Sequence, residues 1–170
     1  NSFGGTSSAT PLAAGIIALI LEANENLTWR DLQHILVNSA RKNDPNDSSW
    51  EINNAGHDVS HKYGFGAIDS GAAVSLAENW TNVDNEINQT FGPYMPSFDI
   101  PTSTNSWSEF DVQINEDISL ESIDIIVDID HPDRGDLDIV LESPNGTQSW
   151  LAEEHNDGGN DYSNWLFNTL

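Results

Sequence analysis

Between residues 8 and 24 apolar side chains surround the helix axis. Ile16, Ile17, Leu19, Ile20 and Leu21 recur on all sides, and Ala13, Ala14, Gly15 and Ala18 leave room for close neighbours. A helix apolar all round is a central, buried one, and Pro11 falls near its first turn, where a missing N–H costs little. A second helix is expected from Thr28. Thr28 and Asp31 have capping-box spacing, Trp29, Leu32, Ile35 and Leu36 share a face, and Arg41 and Lys42 close it at the negative end of the dipole. A third is expected from Ser70 to Asn79, behind the tight turn Tyr63-Gly64-Phe65-Gly66.

Past residue 97 the period shortens. Strands are expected at Trp107–Ile114, Ile118–Ile129, Leu137–Glu142 and Gln148–Ala152. Ser143-Pro144-Asn145-Gly146 is a hairpin signal between the last two. These elements predict an antiparallel β-sandwich that ends before its last strands. Thr81–Ser97, with Gly92, Pro93 and Pro96, has linker composition. Helices followed by strands give two domains: residues 1–80, a linker at 81–97, and residues 98–170. The chain starts inside a motif and stops directly after a hydrophobic run, so both ends are expected to be cuts through a longer protein.

The charge balance is 28 acidic against 5 basic residues, a net −23 over 170 residues. Such a surface repels nucleic acid and anionic membranes. It attracts cations and basic peptides, and it keeps a protein soluble in saline surroundings. There are no cysteines, which a sizeable core makes compatible with export. The longest apolar run, Leu12–Leu21, is expected to be too short to span a membrane.

The chemistry centres on Gly5-Thr6-Ser7-Ser8-Ala9-Thr10-Pro11-Leu12-Ala13-Ala14-Gly15. This places the hydroxyl of Ser7 at the N-terminus of the first helix, where unpaired N–H groups and the dipole favour negative charge. That suits attack on a carbonyl and the oxyanion that follows. Gly4 and Gly5 let a substrate approach the backbone. From the spacing alone, a plain N-cap serine explains Ser7 equally well.

Gly5-Thr6-Ser7 with Ala9, Pro11 and Gly15 resembles the serine signature of the subtilase superfamily. Leu21-Glu22-Ala23-Asn24, Asn26-Leu27-Thr28-Trp29-Arg30-Asp31 and Val59-Ser60-His61-Lys62-Tyr63-Gly64-Phe65-Gly66 narrow the resemblance to its kexin/furin branch. Val127-Asp128-Ile129-Asp130, Arg134-Gly135-Asp136-Leu137, Leu141-Glu142-Ser143-Pro144-Asn145-Gly146-Thr147 and Asn164-Trp165-Leu166-Phe167 resemble the P domain of the same proteases. Phe3 departs from the family pattern, which carries a polar residue or Gly near that position.

The resemblance implies the C-terminal helical part of an α/β subtilisin-like catalytic domain, followed by a truncated all-β jelly-roll P domain. It implies a secreted or cell-surface, calcium-dependent serine endopeptidase. Ser7 would be its nucleophile, and its protein or peptide substrates would be cleaved after basic residues. The P domain would pack on and stabilise its own catalytic domain. The family's triad runs Asp, His, Ser along the chain, so the Asp, the His and the main calcium sites are expected upstream. The alternative is a non-catalytic secreted or surface protein with a decayed protease domain and a β-sandwich binding module.

Other candidates weigh less. His61 with Asp58 could be drawn as a local triad with Ser7, but His61 stands at a family position beside the Tyr63-Gly64 turn and reads as structural. Arg134-Gly135-Asp136 is an integrin-type tripeptide that the P-domain match explains better. Asn26, Asn46, Asn79, Asn88 and Asn145 carry glycosylation acceptor patterns, which an Asn-rich chain generates by chance. Asp128, Asp130, Asp133, Asp136 and Asp138 form a candidate calcium site, since that ion takes 6–8 oxygens from flexible acidic loops. Its rival is a solvated acidic loop with Asp136 paired to Arg134.

Overall fold

The structure, a computed structural model, describes residues 4–103, 106–116 and 118–169. Phe3 lies outside the described residues. The chain divides into two compact units, Asn1–Glu86 and Ile87–Leu170.

The first unit holds α1 (Thr6–Ala23), α2 (Trp29–Ser39), a short antiparallel pair β1 (Glu51–Ile52) and β2 (Asp58–Val59), and α3 (Ser70–Ala77). Its core is Ile20 of α1, Ile35 of α2, and Ala73 and Ala77 of α3, flanked by Ile16, Leu32, Leu36, Val74 and Trp80. Ala73 and Ala77 are one turn apart, so α3 presents a flat face to both neighbours. Asn24 Nδ2 donates to the Ala77 carbonyl at 3.0 Å and fixes the end of α1 on α3.

α2 opens on the expected capping box, with Thr28 and Asp31 each bonding the other's backbone N–H. It ends at Ser39, earlier than predicted. Ala40 is extended, Arg41 bridges Ala67, and Lys42 pairs with Asp58 at 2.6 Å. The two cations therefore serve the loop packing and do not close the helix.

α1, apolar all round in sequence, is only partly covered within these 170 residues. Ile20 is its fully buried residue, while Leu12 and Leu19 are 71% and 50% exposed. The small residues that open and close it extend the apolar stretch to 18 residues with mean hydropathy 1.4. At 1.5 Å per residue that is about 27 Å, so by length and composition α1 could cross a membrane. This corrects the reading based on Leu12–Leu21 alone.

The second unit contains two two-stranded antiparallel sheets. β3 (Ile123–Ile129) pairs with β6 (Tyr162–Thr169), with Ile126 opposite Leu166 and a register shift between Val127 and Ile129. β4 (Ile139–Glu142) and β5 (Gln148–Ala152) form the predicted hairpin. Its turn is closed by Ser143 N–H to Thr147 and Gly146 N–H to Ser143, both at 2.9 Å, and Gly146 has φ 85°.

Residues 107–114 form no strand, and β3 begins at Ile123, not Ile118. Trp107, Phe110, Val112 and Ile114 are exposed, so that segment lacks the neighbour a strand requires. The sheet strands are those of an antiparallel β fold, and the pairing closes no barrel or sandwich among the described residues.

Candidate active site

Gly5 sets the geometry at Ser7. It is the N-cap of α1 with φ 89° and ψ −180°, a region open in practice only to glycine. Its carbonyl starts the helix by accepting the N–H of Ser8 at 3.1 Å and of Ala9 at 3.2 Å. The Ser8 hydroxyl donates to the same oxygen at 2.8 Å.

Ser7 is therefore the second helical residue, not the cap, and no side chain caps this N-terminus. That removes the N-cap account of Ser7. Its side chain is exposed, at the end of a helix whose first N–H groups have no intrahelical partner. Pro11 stands four residues on, inside the helix rather than in its first turn. It has no N–H to offer the Ser7 carbonyl, so one intrahelical hydrogen bond is missing there.

No histidine or carboxylate bonds to Ser7 among the described residues. Asp58 is committed to Lys42, and His57 meets Phe65 edge-on at 6.2 Å. His34 stacks on Trp80 at 6.4 Å, and His61 is exposed. A cavity of about 180 Å³ lies between the end of α2 and the β1–β2 pair, lined by Lys42, His57, Asp58 and Phe65 among others. Ser7 is not part of it.

The five aspartates of the candidate cation site do not converge. Among the described residues no three His, Cys, Asp or Glu side chains come together to hold a metal. Three of them are turned to backbone N–H groups of different residues. Asp128 accepts the N–H of Asn164 at 2.7 Å, Asp133 that of Gly135 at 3.2 Å, and Asp138 that of Glu154 at 2.8 Å. Asp130 and Asp136 are exposed.

Arg134 does not pair with Asp136 as the rival reading had it. Its Nε donates to Asp157 at 2.8 Å and its guanidinium lies 4.9 Å from the Trp165 ring centre. This bond, the N–H of Gly159 and the Arg134 charge outweigh desolvation and hold the Asp157 carboxyl below its usual range. Gly135 is buried, with its N–H bonded to the Asp157 carbonyl and its own carbonyl to the N–H of His155. An Arg-Gly-Asp tripeptide packed this way is a structural clasp, not a displayed adhesion loop.

Sequence reading treated Asp31 as a cap alone, and the structure gives it more. The side chain is fully buried. Oδ2 accepts from Thr28 N–H at 2.7 Å and Thr28 Oγ1 at 2.6 Å, while Oδ1 accepts from Trp80 Nε1 at 2.9 Å and Val83 N–H at 2.8 Å. Burial alone would raise this carboxyl, but the bonds from Thr28, Val83 and Trp80 prevail and hold it at about 2. Asp31 thus straps the chain after α3 onto α2. Only the capping spacing was visible beforehand, because Trp80 and Val83 are remote in sequence.

The profile of the subtilase family matches residues 1–66, and that of the proprotein convertase P-domain matches residues 120–170. The chain is 41% identical to proprotein convertase subtilisin/kexin type 6 of Rattus norvegicus over 98% of its own length and 19% of the relative's. It is 40% identical to furin of Bos taurus, over 97% of the chain and 21% of that protein. The chain spans about a fifth of the length of these curated relatives. Among solved structures it resembles the serine protease of Aeromonas sobria, with a TM-score of 0.72 and 30% identity over 89% of this chain and 29% of that one.

Proposed function

The chain belongs to the subtilase family of serine proteases, on its proprotein-convertase branch, and from that footing we propose that Ser7 is the nucleophile of a serine endopeptidase. The observation that carries this is the exposed Ser7 hydroxyl at the start of α1, behind a Gly5 held where only glycine is comfortable. Ser7 Oγ attacks the scissile carbonyl, and the amine leaves from the tetrahedral intermediate to give an acyl-enzyme that water hydrolyses. The helix N-terminus stabilises the oxyanion.

The hydroxyl has no base beside it among the described residues. The histidine that accepts its proton, and the carboxylate that orients that histidine, come from outside these 170 residues. Residues 1–80 are then the end of the catalytic domain, 81–97 a linker, and 98–170 part of a jelly-roll P domain that stabilises it. The exposed side of α1 is a core surface that the rest of the catalytic domain covers.

Cleavage after Lys or Arg of a protein substrate, and a secreted or surface location, follow by family resemblance. The acidic surface supports the first by drawing basic peptides inward. The family resemblance also implies calcium, but the described residues offer it no set of ligands.

The test is a serine-directed fluorophosphonate applied to the complete protein. Labelling of Ser7, and a fall on the order of 10⁶ in rate for Ser7→Ala, are expected, the magnitude being that known for subtilisin. An active Ser7→Ala variant, or labelling elsewhere, overturns the assignment. Failure to label a folded, complete protein supports the decayed, non-catalytic alternative.

A further inference from the structure

β3 alternates regularly. Ile123, Ile125, Val127 and Ile129 are half-buried, while Asp124, Ile126 and Asp128 are on the exposed side, and Asp130, just past the strand, is exposed too. The pattern calls for a polar residue at 126, yet isoleucine stands there, 61% exposed, directly opposite Leu166, 56% exposed. Two aliphatic side chains thus face outward from the middle of a row of carboxylates.

Among the described residues no lysine or arginine is paired with those carboxylates. Asp124 accepts from Asn168 Nδ2 and Asp128 from Asn164 N–H, each at 2.7 Å, and both donors are neutral. Arg134 is the sole lysine or arginine from residue 87 onward, and it is engaged by Asp157 and Trp165. We propose that the outward face of the β3–β6 sheet is a docking surface for a cationic segment of another protein, one that carries an aliphatic side chain between two lysines or arginines.

Charge selects this occupant. A second copy would set one aspartate row against another, and like charges so placed repel. The spacing is also set: residues two apart on a strand are about 7 Å apart, so Asp124 and Asp128 flank Ile126 at that distance on either side. An extended partner with cations two residues before and two after its aliphatic side chain matches this row. The proposal is independent of the role given to Ser7.

The test uses the complete protein as its Ser7→Ala variant, so that a basic probe is not cleaved. A fluorescent peptide, Gly-Lys-Ser-Leu-Ser-Lys-Gly, is titrated by anisotropy, beside a control with Leu replaced by Ser. Binding that weakens about tenfold or more in Ile126→Ser/Leu166→Ser, at an unchanged melting temperature, is expected from the lost apolar contact. The control peptide should bind with similar weakness, and Asp124→Asn/Asp128→Asn should flatten the salt dependence.

Equal affinity for both peptides, or an unchanged double variant, overturns the proposal, since binding is then charge alone or lies elsewhere. So does an Ile126→Cys thiol that resists maleimide in the folded protein, which would mean its own chain covers the face. A concentration-dependent dimer abolished by Ile126→Lys would assign the face to a second copy instead.

Discussion

Replacing Asp31 by Asn changes one atom in a fully buried carboxylate that accepts four hydrogen bonds. Asn keeps an oxygen for Trp80 Nε1 and Val83 N–H, the pair now on Oδ1. Its NH₂ then faces Thr28 N–H, where Oδ2 stood at 2.7 Å. One part-buried backbone donor loses its acceptor, which costs at most about 1–3 kcal/mol.

The charge sets a second, pH-dependent part. Asp31 titrates near 2 in the folded protein against 3.8 in the ordinary range. Because the folded value is the lower one, its contribution is present above about pH 4 and is lost as pH falls toward 2. At 1.36 kcal/mol per unit the ionised form is worth about 2 kcal/mol.

Urea denaturation of wild type and Asp31→Asn at pH 7, 4 and 2 isolates this part as a difference, since all other carboxylates titrate in both. The gap between them should be widest at pH 7 and should shrink by about 2 kcal/mol at pH 2. A gap that stays constant across that range would falsify the claim that the ionised carboxylate, rather than the shape of the side chain, holds α2 to the chain after α3.

Two further substitutions test backbone positions. Gly5→Ala in the complete protein forces a Cβ into a region that costs about 1–3 kcal/mol; it should slow acylation at Ser7, read as a lower kcat with KM little altered, and normal kinetics would show that Gly5 does not position the nucleophile. At Gly135 a Cβ would fall on the carbonyl oxygens of His155 and Asp157, so Gly135→Ala should lower the stability of the second unit by about 1–3 kcal/mol or more, seen in protection of the Arg134 and His155 amides from hydrogen exchange, and unchanged protection would count against the clasp.

Local signals were the legible ones. The capping box at Thr28 and Asp31, the hairpin turn at Asn145-Gly146 and the helix that follows Gly5 depend on residues within a few positions of each other, and all three appear in the structure. The ends of elements were harder. Arg41 and Lys42 looked like the close of α2 but are taken by Ala67 and Asp58, partners more than a dozen residues away. The strand read at Trp107–Ile114 failed for the same reason, because β-prone residues make a strand only beside another. β6 went unread as a strand because its residues Asn164 and Asn168 are poor strand formers. It owes its place to pairing with β3, and Asn164 adopts φ 48° beside the register shift.

The same distinction governs the two candidate sites. A serine at a helix start is placed by its own neighbours: Gly5 gives the turn, the Ser8 hydroxyl bonds the Gly5 carbonyl, and Pro11 offers the Ser7 carbonyl no N–H. Such a motif can be read from sequence because nothing distant is needed to shape it. A cation site needs carboxylates that reach one point from several segments. Crowding aspartates into eleven residues does not by itself achieve that. Asp128, Asp133 and Asp138 are turned to N–H groups of three different residues, Asn164, Gly135 and Glu154. An acidic run becomes a metal site only where the fold aims its oxygens at one point.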